Sequence, residues 1–233
     1  LNVEHMRRNR GECMGSLYWQ VNDSNPVISW SSIDYYHRWK ALHYAAKKFY
    51  APVLISADGE DRDNIRLNIS SERREGFSAV IRWRSRMNTG EVIMQGMENV
   101  DVKPLFAEDF ITLTPENTGI SPDMRDRAYI EFTVIENGVR LSSGTFMFVQ
   151  PKSFRFADPE LKIAAVDMGR KFKIVVSAKA FAKSVCLELR EGDCLFSDNW
   201  FDLHGDTAGV YVSKAKLPAG ITCEELAKNI RAV

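Results

Sequence analysis

FSAVIRWRSRMNTGEVIMQGM, residues 77–97, decides the fold. In its first half Ala79, Ile81 and Trp83 fall on one side of an extended chain, and Arg82, Arg84 and Arg86 on the other. That period of two predicts a half-buried strand. MNTG (87–90) then makes a turn, and EVIMQGM (91–97) continues as a second strand. The alternation of arginine with tryptophan resembles a nucleic-acid strip, but in a period-two strand it reads as apolar inward and charged outward.

The same period extends in both directions. PVLISA, NIRLNIS, DFITLT, AYIEFTVI and TFMFVQ bring the set to seven short strands, punctuated by DGEDRD, PENTG and ENG. Seven short strands in about 100 residues predict an immunoglobulin-like β-sandwich over residues 51–152, without the Cys…Trp…Cys arrangement of antibody domains. PKSFRFADP (151–159), bounded by prolines, reads as a linker. Beyond it LKIAAVD, KFKIVVSA, SVCLELRE, CLFSDNWFDL and GVYVSKA predict a second, smaller immunoglobulin-like sandwich over residues 153–233. Thr222 and Glu225 form a capping box that opens a helix at CEELAKNI.

Residues 1–50 follow a different pattern. Arg7, Arg8 and Arg10 crowd a helix end closed by Gly11. CMGSLYWQV (13–21) is apolar enough to be a strand buried on both faces. Asp34 can cap a helix carrying Trp39, Leu42, His43, Ala46 and Phe49 at helical spacing, and Pro52 stops it. A buried strand between two amphipathic helices is one repeat of an α/β barrel or a doubly wound sheet. The fold class read from the sequence is therefore mainly β, two sandwiches preceded by a terminal β/α piece.

Composition closes several routes. Thirty-one basic residues balance thirty-one acidic ones among 233, which argues against nucleic acid or an anionic membrane as partner. No apolar run approaches the ~20 residues of a membrane span. The opening LNVEHMRRNRG reads like a helix already under way, so a longer parent protein is expected. Four cysteines without Cys-x-x-Cys spacing favour free thiols and a reducing, cytoplasmic compartment. His5, His37, His43 and His204 are scattered, so no metal site is expected. Ser31 and Ser32 lack the setting of a nucleophile elbow, and no glycine-rich phosphate loop occurs.

If residues 13–21 are a barrel strand, Trp19, Gln20, Asn22 and Asp23 lie at its C-terminal end, where barrel enzymes build active sites. An indole beside carboxamide and carboxylate groups suits a sugar, which stacks on the ring and bonds through its hydroxyls. The alternative is that Trp19 plugs the barrel interior and Asp23 caps a turn.

GSLYWQVNDSNPVISWSSIDYYHRWKALHYAAKKFYAPV (15–53) resembles the end of the catalytic barrel of β-mannosidases, in family 2 of the glycoside hydrolases. That family's usual form is Gly-(Thr/Ser)-Leu-Tyr-Trp-Gln-Leu-Asn-Asp, then Trp-Pro-Val-x-Ser-Trp-Ser-Ser-Ile-Asp-Tyr-Tyr and Trp-Lys-Ala-Leu-His-Tyr. This chain departs from it at Asn25, where the family commonly has tryptophan. LFSDNWFDL resembles a strand in the family's last domain.

The resemblance implies a (β/α)8 barrel end in residues 1–50 followed by two β-sandwiches. It implies a parent that removes terminal β-D-mannosyl residues with retention, exo-acting and without a cofactor. By it, Trp19 is the platform under the sugar, Asn22 and Asp23 bond hydroxyls or brace the site, and Trp30 and Tyr35 support the loop. The two catalytic glutamates are expected upstream of Leu1, since neither Glu4 nor Glu12 sits at a strand end, so this chain alone is expected to be inactive. Two alternatives stay open: an exo-β-glucosaminidase or other family 2 enzyme, and a non-catalytic carbohydrate-binding tandem sandwich. Residues 1–50 are expected to lie against the first sandwich or against a second copy of the chain, with self-association through residues 34–50, and the loop from Asn22 to Ile33 is expected to be the least regular part.

Overall fold

The computed structural model describes residues 2–233. The chain divides into two compact units. One joins the first 17 residues to Lys47–Arg155, and the other joins Tyr18–Ala46 to Phe156–Val233.

In the first unit all seven expected strands form: β1 Val53–Asp58, β2 Ile65–Ser71, β3 Phe77–Met87, β4 Val92–Val102, β5 Ala107–Leu113, β6 Ala128–Glu136 and β7 Val139–Met147. The antiparallel sheets run β1-β2-β5 and β4-β3-β6-β7, the three-plus-four layout of an immunoglobulin-like sandwich. Inward residues of both sheets, among them Ile55, Leu67, Ile69, Ile81, Ile130 and Val134, form its core. On the outward face of β3, Arg84 and Arg86 each place a guanidinium nitrogen 3.0 Å from Glu131 of β6, so the alternating arginines serve a sheet-surface ion pair.

One inward row crosses all four strands of the larger sheet as Gly96, Trp83, Phe132 and Gly144. A Cβ on Gly96 would lie 2.8 Å from the Trp83 indole, and one on Gly144 would lie 2.5 Å from the Phe132 ring. The edge glycines let the two central rings lie flat along the sheet. PENTG, read as a turn, contains one helical turn, α1 being reserved for Asn2–Arg8, α2 for Ala41–Phe49 and α3 for this Pro115–Thr118 segment. Arg7 of α1 and Arg10 just beyond it tie this segment to the rest of the first unit: Arg7 Nη1 donates to the carbonyls of Phe49 and Ala51 at 2.7 Å, and Arg10 Nη1 reaches Glu72 at 2.5 Å.

The second unit holds β8 Lys162–Asp167, β9 Lys171–Ser177, β10 Phe181–Val185, β11 Leu187–Leu189, β12 Phe201–His204, β13 Thr207–Ser213, α4 Cys223–Asn229 and β14 Ile230–Ala232. Its sheets are β13-β9-β8, β10-β12 and β11-β14. Phe172, Ile174 and Val176 alternate inward from β9 and meet Leu203, Val210, Val212 and Leu226. The capping box forms as expected: the Glu225 carboxylate accepts from Thr222 N at 2.8 Å, and Thr222 Oγ1 accepts from Glu225 N at 3.2 Å.

Here two strand expectations are corrected. SVCLELRE is broken into β10 and β11, and CLFSDNWFDL is extended as a ladder strand only from Phe201. The cause is local: Ser184, at φ 57°, sits in a bulge of β10 where the register against β12 shifts between Ala182 and Val185, and Trp200, at φ 56°, turns the chain immediately before β12. The last helix also stops earlier than expected, and Ile230–Ala232 becomes β14 against β11.

Residues 13–21 form no strand; the nearest pairing is an isolated parallel bridge between Asn22 and Ile33. An interior barrel strand needs ladder partners on both sides, and none pairs with these residues here. Met14, Leu17, Trp19 and Val21 are consequently all exposed. The second helix begins at Ala41 rather than after Asp34. The Asp34 carboxylate instead accepts from the backbone N–H groups of Tyr36 and Arg38, both at 2.9 Å, and His37 turns left-handed at φ 65°. Helix α2 buries Tyr44 and Ala46, and residues Tyr18–Ala46 group with the second immunoglobulin-like domain, not the first.

Candidate functional site

Residues 18–40 form a loop tied shut at its base. Ile33 N donates to Val21 O at 2.7 Å, Asp23 N donates to Ile33 O at 3.1 Å, and Lys40 N donates to Ser32 O at 2.9 Å. Beneath the base sits Ser32, fully buried. Its hydroxyl donates to Val21 O at 2.9 Å and lies 3.0 Å from both Tyr18 Oη and His43 Nδ1. With its one proton committed to the carbonyl, Ser32 accepts from the Tyr18 hydroxyl and from the Nδ1–H tautomer of His43. A serine beside a histidine can suggest a nucleophile, but one buried this way only holds the loop. Trp39 closes the cluster, its ring 4.3 Å from His43 and 5.3 Å from Tyr44.

Asp23 organises the loop from within. Its side chain is 2% exposed and accepts from Ser29 Oγ at 2.5 Å, Ser31 Oγ at 2.7 Å and Lys40 Nζ at 3.1 Å. The Ser29 and Ser31 hydroxyls, reinforced by Lys40, outweigh desolvation and hold this carboxyl down at about 2, against an ordinary 3.8. Lys40 is the hub of the opposite side, reaching Ser31 Oγ at 2.7 Å and Ser29 O at 3.3 Å as well.

The structure thus separates the residues singled out from sequence. Trp19 presents its indole to solvent, 76% exposed, with a cis peptide joining it to Gln20. Asn22 is also exposed, its amide 3.4 Å from Asp23 O. Asp23 points inward as a brace. Trp30 and Tyr35 are both exposed, and Tyr35 meets Tyr36 edge-on at 5.3 Å. A cleft of about 350 Å³ is lined by Gln20, Asp23, Asn25, Val27, Ile28 and Trp30, with Ser24 and Ser29. Lys40, Ser29, Tyr18 and His43 escaped sequence reasoning. For Ser29 alone there was a local signal, its spacing from Ser31 about Trp30, which puts both hydroxyls on one side of an extended segment.

Among the described residues no group of three or more His, Cys, Asp and Glu side chains could hold a metal, and no helix is long and apolar enough to cross a membrane.

Residues 63–153 match the mannosidase Ig/CBM-like domain family, and residues 156–232 match the mannosidase Ig-fold domain family. The chain therefore carries tandem immunoglobulin-like domains of the mannosidase type. The curated proteins it resembles include β-mannosidases. It is 26% identical to the β-mannosidase of Capra hircus over 214 residues, covering 87% of this chain and 24% of that one. To β-mannosidase A of Neosartorya fischeri it is 26% identical over 188 residues, 74% of this chain and 20% of that one. With the Bos taurus β-mannosidase identity rises to 50% over a stretch of 54 residues, 23% of this chain and 6% of that one. Among solved structures it resembles the β-D-mannosidase of Dictyoglomus thermophilum, with a TM-score of 0.83 at 17% identity, over 99% of this chain and 27% of that one. An exo-chitosanase of Amycolatopsis orientalis gives a TM-score of 0.68 at 15% identity, over 99% of this chain and 32% of that one. At such identities these two likenesses speak for the fold. The chain spans about a quarter or less of the length of the curated relatives it matches.

Proposed function

We propose that this chain is part of a retaining, exo-acting β-mannosidase, and that residues 18–40 contribute to the pocket that holds the terminal mannosyl ring. In this reading residues 1–50 complete the catalytic barrel, and residues 51–152 and 153–233 are the sandwiches that follow it. Trp19 is the stacking platform, Asn22 bonds a hydroxyl, and Asp23 keeps the loop in shape through Ser29, Ser31 and Lys40. The acid/base and the nucleophile, two carboxyl groups about 5 Å apart in a retaining enzyme, come from residues outside these 233. The observation that carries the reading is the Trp19 indole. It is 76% exposed at the foot of a loop whose polar groups are internally bonded, so it is held ready for an apolar face to cover it. Four free thiols suit a reducing compartment.

The test is kinetic. In the whole protein, Trp19→Ala should lower kcat/KM for an aryl β-mannoside on the order of a hundredfold, about 3 kcal/mol, because stacking strengthens as the ring flattens toward an oxocarbenium ion. Trp30→Ala should cost less; the reverse order at unchanged stability would overturn the assignment. The 233-residue chain alone should show no turnover. Faster cleavage of an aryl β-glucosaminide than of the mannoside would favour the exo-β-glucosaminidase alternative.

A further inference from the structure

A groove of about 840 Å³ lies in the second unit between residues 36–44 and residues 186–200, with Lys216 also lining it. That volume is in the range of small-ligand sites. Tyr36, Trp39, Tyr44 and Trp200 supply aromatic surface to it.

The wall is built at a conformational cost. Two lining residues, His37 and Trp200, hold left-handed backbone at φ 65° and 56°. A bulky side chain rarely adopts that conformation, and it persists only where neighbours impose it. For Trp200 the neighbour is Asn199, buried at 5% exposure. Asn199 Oδ1 accepts from Trp200 N at 3.0 Å and from Leu187 N at 2.7 Å, while its Nδ2 donates to Leu187 O at 2.9 Å. The result is a tryptophan fixed at its backbone and 39% exposed at its side chain.

Charge decides what the groove can take. Arg38 is held by Asp34 at 2.7 Å and Asp193 at 3.6 Å, Lys40 by Asp23 at 3.1 Å, and Glu188 by Arg231 at 2.6 Å. Three cations here face four anions, and Lys216 of the lining evens the balance, which leaves no concentrated field for an anion or a cation. Nor is the groove equipped for covalent chemistry: burial pushes the Cys186 thiol up to about 11 and the Cys194 thiol up to about 12, so both stay protonated. Aromatic faces with mixed donors and acceptors and no net charge suit an uncharged, hydroxyl-rich ligand.

We propose that this groove binds a short neutral oligosaccharide, with one pyranose ring on the Trp200 indole and hydroxyls met by Asp193 and Lys216. The groove's preference for a neutral glycan stands on these residues; only the choice of a mannosyl probe rests on the β-mannosidase reading.

The experiment is a titration of the full 233-residue chain with β-1,4-mannotriose and with cellotriose, followed by nuclear magnetic resonance. Saturable shifts at the Trp200 indole N–H and across residues 186–200 are expected at millimolar concentration. Trp200→Ala should weaken binding about tenfold or more. Trp200→Gly should lose binding equally while sparing the strain that alanine meets at φ 56°, and unchanged amide exchange at Leu187 would show the wall intact. Trp19→Ala should leave this binding unchanged. Trp200-dependent binding of either trisaccharide supports the groove, and failure of mannotriose alone counts only against the mannosidase reading. Absence of binding by both, shifts that survive in both Trp200 variants, or binding of inorganic phosphate in preference to the sugars would overturn the proposal.

Discussion

Replacing Asn199 by alanine tests the joint on which the second domain and its groove both depend. Cys186 and Val233 exchange both backbone hydrogen bonds at 2.9 Å. In an antiparallel ladder bonded and non-bonded pairs alternate, so Leu187, opposite Ala232, turns its N–H and C=O away from β14. Asn199 takes both, acting as a one-residue surrogate strand. Leu187 is 2% exposed, so truncation leaves a buried donor and a buried acceptor without partners. At about 1–3 kcal/mol for each orphaned group, the loss should be about 3 kcal/mol, the Trp200 N–H being near enough to solvent to find water. For a domain of this size that lowers the melting temperature by roughly 15 °C. Asn199→Asp keeps the acceptor and loses the donor, so it should fall between wild type and alanine at neutral pH. Denaturant unfolding gives the energy, and amide exchange at Leu187 gives the site. A loss below about 1 kcal/mol, with Leu187 exchange unchanged, would refute the surrogate-strand account.

Three further outcomes follow from other parts of the molecule. The Asp23 carboxyl titrates at about 2 against an ordinary 3.8, chiefly because Ser29 and Ser31 bond its ionised form. A depressed folded value means its contribution is complete above pH 3.8 and lost as pH falls through about 2, so the amide signals of Ser31 and Lys40 should move in that window and not in Asp23→Asn. Gly144→Ala should destabilise the first sandwich by about 1–3 kcal/mol through overpacking on Phe132, measured by denaturant unfolding, with Gly15→Ala, in open space and without positive φ, as the comparison. Thr222→Ala should cost about 1 kcal/mol by removing the cap of α4, read from exchange of the Glu225 and Leu226 amides.

The first sandwich was legible almost strand by strand, because strands such as β3 and β6 alternate buried and more exposed residues and period two writes that directly into the sequence, while β1 and β2, buried on both faces, are marked by the turns around them. The capping box was legible for the same reason: donor and acceptor lie three residues apart. The second domain was read less completely. Nothing in SVCLELRE or CLFSDNWFDL announces that Ser184 and Trp200 turn left-handed, since Asp202 reaches Ser184 N only once β12 is in place, and Asn199 is fixed on Trp200 N only by its bonds to the distant Leu187. At the candidate site the residue types were legible and their directions were not. Trp19 and Asp23 look alike as sugar ligands in a sequence, yet one faces water and the other is consumed by Ser29, Ser31 and Lys40.

By itself, then, the sequence determined what local periodicity and short-range bonding determine: the strands, their turns, the caps and the aromatic character of residues 18–42. Tertiary structure decided which groups are presented and which are spent. A side chain's direction depends on partners distant in sequence, as with Tyr44 and Phe196 O, 152 positions apart and 3.3 Å from contact to contact. The fate of residues 13–21 belongs to the same category, because a strand exists only by the hydrogen bonds of its neighbours, and no pattern within nine residues can supply them.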